Sequence, residues 1–235
     1  MDNINNNFTG SIWMKTAILI PARYGSTRFP GKPLALLDGV PMIQRVYDAC
    51  TASNLPTYVL TDHQEIYNMM GASRCIMDLA DYENGTERCA GAVEMRTLDD
   101  YDQFINVQGD MPDITVDMIE RCVKKLKDYP VSTVYTDMPE QEQNNPNSVK
   151  LVRGEDRALW FGRGMTGYGD WHLGVYGYRR FALDAYINLP VTQEETIEQL
   201  EQLRWLKNGW QIGCSNVQFD GVEINTPEDL KKWHE

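Results

Sequence analysis

Ala17-Ile18-Leu19-Ile20 is an uninterrupted apolar run closed by Pro21, and the residues after it cannot continue in the same conformation. A short run without polar members has no face to give to water, so it reads as a strand buried on both sides, as in a parallel sheet. Gly25, Pro30, Gly31 and Pro33 then impose turns on a loop that carries Arg23, Arg28 and Lys32. Ligands of open parallel sheets collect beyond the carboxyl ends of the strands, so this loop stands where a polyphosphate would bind. Residue type alone leaves a second reading open, a basic loop that merely sits in water.

The rest of the chain repeats the theme. Helical spacing follows Pro41, taken as a first helical residue, and a second buried strand spans 57–61, with Asp62 placed to cap a helix at 63–71. A strand at 74–77, a helix over 84–96, a strand from Phe104, a helix over 114–127 and a strand at 131–136 come next. Strands alternating with helices predict an α/β fold of the Rossmann-like kind: a mainly parallel sheet flanked by helices, with right-handed crossovers. From about 138 the texture changes. A polar, turn-prone stretch precedes a hairpin (149–152 and 158–161), Gly-rich residues 162–169, a strand of alternating aromatics at 172–179 and an apolar-striped helix over 194–206. A strand at 210–214 and a helix capped by Thr226 close the chain. The organisation expected is a flexible extension at 1–14 and a single domain over 15–235, with a small α+β lobe inserted at about 138–206.

Composition narrows the partners. With 22 Lys and Arg against 34 Asp and Glu, the net charge is −12, which argues against nucleic acid and anionic membrane surfaces. No apolar stretch approaches the roughly 20 residues of a membrane span. Cys50, Cys75, Cys89, Cys122 and Cys214 are odd in number and widely separated, and read as reduced core thiols of a cytoplasmic protein.

The basic loop lacks both the dinucleotide-binding and the P-loop fingerprints. Ile20-Pro-Ala-Arg-Tyr-Gly-Ser-Thr-Arg-Phe-Pro-Gly-Lys-Pro-Leu34 instead resembles the I-P-A-R-x-x-S-T-R-x-P-G-K-P-L signature of the cytidylyltransferases that activate 2-keto sugar acids, most closely the 3-deoxy-D-manno-octulosonate (Kdo) family. Asn106-Val-Gln-Gly-Asp110-Met-Pro112 is similar to the family's N-V-Q-G-D-E-P, Gly85-Thr-Glu-Arg88 to part of S-G-T-E-R, and Asn225-Thr-Pro-Glu-Asp-Leu230 to D-T-P-E-D-L. Taken singly these segments have plainer readings: Asp110 as a turn former, residues 84–88 as a helix start, Tyr176 as strand packing, Glu198 and Glu201 as a solvated helix face.

The resemblance implies transfer of CMP from CTP to a sugar acid by a magnesium-dependent, homodimeric enzyme of lipopolysaccharide biosynthesis. It implies a nucleotide site of Ala22, Arg23, Ser26, Arg28, Lys32, Asn84, Gly85, Arg88 and Gln108, with Lys32, Arg28 and Asp110 catalytic. It also implies a sugar-acid site of Arg163, His172, Tyr176, Glu198, Glu201 and Gln202, and Mg2+ on Asp110 and residue 225. Three departures bear on this. Met111 replaces a glutamate, Asn225 replaces the second metal-binding aspartate with Glu223 as a substitute, and the 164–171 loop is short with Gly162 in place of serine. They leave open an amino-substituted acceptor, a same-fold enzyme acting on a sugar 1-phosphate or a nine-carbon acid, and a silent CTP-binding protein.

Overall fold

The computed structural model describes residues 14–25, 29–222, 224 and 226–233. The expected N-terminal extension, save Met14, therefore lies outside the described residues, as do Ser26, Arg28, Glu223 and Asn225. In chain order the elements are β1 (Thr16–Pro21), β2 (Leu36–Leu37), β3 (Val40–Pro41), α1 (Met42–Thr51), β4 (Thr57–Thr61), α2 (Gln64–Met70), β5 (Cys75–Met77) and α3 (Gly85–Val93). Then follow β6 (Gln103–Val107), α4 (Val116–Lys125), β7 (Val131–Thr136), β8 (Lys150–Gly154), β9 (Arg157–Gly162) and β10 (Asp170–Arg179). The chain continues with α5 (Arg180–Tyr186), α6 (Gln193–Glu198), α7 (Gln202–Lys207), β11 (Ile212–Asn216) and α8 (Pro227–Trp233).

Among the described residues, all strands but β2 and β3 join one sheet in the order β5-β4-β1-β6-β10-β7-β11-β9-β8. The first four are parallel, as the strand-helix alternation predicts. β10 enters antiparallel between β6 and β7, and the β8–β9 hairpin extends the far edge, so the sheet as a whole is mixed. Gly177 lets β10 fit into that slot: a Cβ there would lie 2.4 Å from the Ser132 hydroxyl on β7.

β1 shows why its sequence had to be apolar throughout. Ala17 and Leu19 face one core with Cys89, Val93, Leu183 and Trp205, while Ile18 and Ile20 face the other with Ile43, Val46, Ile66 and Ile119. Alternate side chains point to opposite faces, and helices cover both.

Four local expectations need correction. Residues 194–206 do not form one helix: Gln199 adopts a left-handed conformation (φ 52°, ψ 49°) and separates α6 from α7. The apolar stripe hid this break, for Ile197 is exposed whereas Leu200, Leu203 and Trp205 are buried. Asp62 does not cap α2, whose N-cap position is His63; its carboxylate pairs instead with Arg88 at 2.8 Å. Pro41 ends β3 with an extended ψ of 137°, and the helix begins one residue later. The helix expected over 84–96 ends at Val93, with a separate 3-10 turn following.

Candidate active site

β1 and β6 are parallel neighbours in register at Leu19 and Asn106, so both deliver the residues that follow them to one edge of the sheet. Ala22 and Arg23 leave β1 there, and Gln108, Gly109 and Asp110 leave β6. The two exits run close together: a Cβ on Gly109 would stand 3.0 Å from the Pro21 carbonyl oxygen, which explains a glycine at that point. Gly31, with φ 72°, turns the basic loop into the short 3-10 segment Lys32–Leu34. Lys32 Nζ thereby reaches Asp110 Oδ2 at 2.5 Å, tying the loop after β1 to the end of β6.

A third strut is the N-terminus of α3. Asn84 caps it, its side-chain oxygen accepting the Glu87 N–H at 2.9 Å, and a Cβ on Gly85 would lie 3.3 Å from the Gln108 amide. Arg88, one turn into the helix, is 4% exposed. It donates to Asp62 at 2.8 Å and to the Asp78 carbonyl at 3.3 Å, and stacks over Tyr82.

Two connected hollows result. The smaller, about 200 Å3, is lined by Ala22, Arg23, Lys32, Arg88, Gln108 and Asp110 among others. The larger, about 650 Å3, adds Arg163, His172, Tyr176, Glu201 and Gln202. Arg23, Asn84, Gly85, Gln108 and Asp110 border both, so Asp110, paired with Lys32 from the smaller hollow, stands at their junction. Glu198 is not on the wall; its carboxylate accepts the Arg163 backbone N–H at 2.8 Å and so holds the turn that carries Arg163. Burial pushes the Glu201 carboxyl upward, opposed by the Thr86 and Gly85 amides at the start of α3. His172 is held as the neutral imidazole, its pKa down at about 3, because the ring is buried and Arg163 lies near.

Glu223 and Asn225 lie outside the described residues, but the residue between them does not. Ile224 donates its N–H to the Asp110 carbonyl at 3.2 Å, so a segment more than a hundred positions away in sequence runs beside Asp110. Among the described residues no group of three or more His, Cys, Asp and Glu side chains forms a metal cage. One carboxylate at the mouth of a phosphate-sized basic hollow still suits magnesium, which takes one or two protein carboxylates and completes its shell with phosphate and water oxygens.

Three structural groups were not foreseen from sequence. Arg204 on α7 is 3% exposed and binds Glu195 on α6 at 2.6 and 2.9 Å and Glu87 on α3 at 2.9 Å, clamping the two sides of the cleft together. Lys150 donates to the carbonyls of Asn145, Ser148 and Arg163, bracing the same turn as Glu198. Thr133 bonds His172 at 3.0 Å. Arg204 and Glu195 stand nine positions apart, a spacing that pairs side chains only because the helix breaks at Gln199.

Residues 17–212 match the family model described as cytidylyltransferase. The 8-amino-3,8-dideoxy-manno-octulosonate cytidylyltransferase of Shewanella halifaxensis is 39% identical over 236 residues, covering 93% of this chain and 96% of that one. The counterpart in Shewanella oneidensis is likewise 39% identical, over 93% and 97%. Among solved structures, the CMP:2-keto-3-deoxy-manno-octonic acid synthetase complexed with CTP superposes with a TM-score of 0.83 at 34% identity, over 93% of this chain and 96% of that one. A 4-diphosphocytidyl-2C-methyl-D-erythritol synthase from Anaerococcus prevotii (TM-score 0.63, 11% identity, 94% of each chain) shares the fold. With its α/β sheet, its basic first loop and a match spanning both halves of the cleft, this chain belongs to the cytidylyltransferase family.

Proposed function

We propose that the protein transfers CMP from CTP to the anomeric hydroxyl of a 2-keto-3-deoxy sugar acid, 8-amino-3,8-dideoxy-manno-octulosonate or its 8-hydroxy counterpart Kdo, releasing pyrophosphate. One observation carries this reading. A small basic hollow and a larger polar one share Asp110, which Lys32 pairs from the smaller side, as suits a reaction joining a triphosphate to a polyol. The names of the Shewanella relatives favour the amino-substituted acceptor.

In this scheme Arg23, Arg28 and Lys32 neutralise the triphosphate, whose charge is the main obstacle to attack at the α-phosphorus. Arg163, whose guanidinium is held in place by the Glu198 and Asn147 carbonyls, supplies positive charge toward the sugar carboxylate, and His172, Tyr176, Glu201 and Gln202 hold its hydroxyls. Mg2+ would sit on Asp110, with Asn225 or Glu223 as second ligand, and would supply charge neutralisation between the phosphates. Lys32 then passes from Asp110 to the phosphates when nucleotide enters. The acceptor oxygen approaches in line from the larger hollow, its bond to the α-phosphorus forming as the bond to the β-phosphate oxygen breaks.

Five buried free thiols support a reducing, cytoplasmic setting. A homodimer belongs to the same proposal, supported by the family resemblance and by exposed Val191 and Ile197 on the segment around α6.

The test is pyrophosphate release from CTP and Mg2+ with the 8-amino acid, with Kdo, with a nine-carbon acid and with a sugar 1-phosphate. Release with either octulosonate supports the proposal. Release only with one of the other acceptors, or thermal stabilisation by CTP with no release at all, would overturn it.

A further inference from the structure

His172 meets Thr133 through Nε2 at 3.0 Å, and the residue borders the larger hollow. Which ring nitrogen carries the proton is decided by this neighbour on another strand. Thr133, on β7, is fully buried. Its hydroxyl has a single proton, and at 2.7 Å from Oγ1 stands the Val175 carbonyl oxygen, which can only accept. That proton is committed. Toward His172 Nε2, 3.0 Å away, the same Oγ1 can therefore only accept, so Nε2 bears the hydrogen and Nδ1 keeps its lone pair.

The fold builds this relay deliberately into β10. The pairing of β10 with β7 shifts register between Leu173 and Tyr176, and within that irregularity the Val175 carbonyl bonds the Thr133 side chain. Phe161 lies edge-on to the imidazole at 5.0 Å and Tyr176 packs tilted against it at 5.3 Å, so the ring is held in place. Among the described residues Nδ1 has no hydrogen-bond partner. It is not sealed in either, for the buried orphan atoms are His63 Nδ1, Asn106 Oδ1 and Gln202 Nε2. His172 lines the larger hollow together with Gln202.

We infer that Thr133 is a positioning residue that locks His172 as the Nε2–H tautomer, so that Nδ1 accepts a hydrogen bond from a hydroxyl or ammonium donor of the acceptor substrate. The inference rests on the proposed function for the identity of that substrate; the tautomer itself does not. Burial and the Arg163 guanidinium keep the ring neutral, so the lone pair is available. A donor-bearing sugar is thereby preferred over a deoxy or O-methylated analogue at the position that meets Nδ1.

The experiment pairs heteronuclear NMR of the ring nitrogens in the substrate-free protein with kinetics of Thr133→Val and Thr133→Ser. The unaltered protein should show His172 protonated at Nε2. In Thr133→Val, which keeps the shape and loses the hydroxyl, the Nδ1–H form should gain population. The KM for the acceptor should rise about three- to tenfold, the range one neutral hydrogen bond carries, with the KM for CTP changed less than about twofold. Thr133→Ser should restore both. A proton on Nδ1 in the unaltered protein, an unchanged acceptor KM in Thr133→Val, or equal rises for both substrates would overturn the inference. Should the valine variant not fold, the tautomer of the unaltered protein and a normal acceptor KM in the serine variant decide. Absence of turnover in the unaltered enzyme would overturn the proposed function instead, and with it the substrate half of this inference.

Discussion

Arg204→Met isolates the clamp between the two sides of the cleft. The arginine is 3% exposed and Glu195 is 7% exposed, with a bidentate pair at 2.6 and 2.9 Å, and a further bond runs to Glu87 at 2.9 Å. The guanidinium also lies 4.3 Å over the Tyr186 ring. Methionine preserves most of the aliphatic packing but leaves the Glu195 carboxylate buried with no counter-charge, a change that costs about 3–5 kcal/mol. For a chain of this length each kcal/mol lowers Tm by about 2–4 °C, so the expected fall is roughly 6–20 °C. Urea unfolding followed by circular dichroism gives the free energy directly, with an unchanged m-value confirming that the native state is what changed. Replacing the pair as a whole, Arg204→Met with Glu195→Leu, should recover much of the loss, because a buried pair exchanged for apolar side chains is close to neutral. Since α6, α7 and the turn between them carry Glu198, Glu201 and Gln202, the single variant should also raise the acceptor KM more than the CTP KM. A single variant within about 0.5 kcal/mol of the unaltered protein would mean that the buried Arg204–Glu195 pair does not hold the fold together.

Lys32→Met removes the cation at the junction of the two hollows and should lower kcat/KM by about 10²–10³, read as pyrophosphate release at saturating CTP and below it. Gly109→Ala places a methyl group 3.0 Å from the Pro21 carbonyl and should cost about 1–3 kcal/mol in denaturant while depressing activity further than stability, because the strand ends that hold Arg23 and Asp110 move apart. Stability should decline as pH drops from 6.5 toward about 3, since the unfolded chain takes up a proton on His172 that the folded protein refuses; His172→Asn should flatten that part of the profile in thermal melts. Asn225→Asp should lower the magnesium concentration needed for half-maximal rate, and an unaltered magnesium dependence would count against residue 225 as a ligand.

The parallel half of the fold was legible because its information is local. The run at 17–20, the segment 57–61 and the strand starting at Phe104 are short and largely apolar, and each is followed at once by turn residues. A buried strand between two helix layers admits little else. The insertion of β10 between β6 and β7 was not legible, because antiparallel pairing of a strand some seventy residues downstream of β6 and some forty downstream of β7 leaves no periodic mark in either partner. α5, Arg180–Tyr186, was missed for a related reason: it follows β10 without a turn signal, and only Ala182, Leu183 and Tyr186 of its residues are buried. The striped segment 194–206 misled outright, since one left-handed residue, Gln199, re-aims everything after it.

Around the site the split is similar. Arg23, Lys32 and Asp110 were identified by residue type and motif, and the structure gathers them at one edge with Gln108 and Gly85. What sequence could not show is who holds whom. Glu198 supports a backbone turn, Arg88 is engaged by Asp62, and Thr133 sets the proton on His172. Each of these pairs residues brought together by the sheet or by a loop, at separations where side-chain chemistry alone selects no partner.

In the proposed reaction the triphosphate lies in the small basic hollow with its α-phosphorus beside Asp110. A crystal structure with CTP and Mg2+ tests that placement directly. It should show the phosphates against Arg23, Arg28 and Lys32, with Lys32 drawn away from the Asp110 carboxylate. Phosphates seated elsewhere, with the Lys32–Asp110 pair still closed, would contradict it.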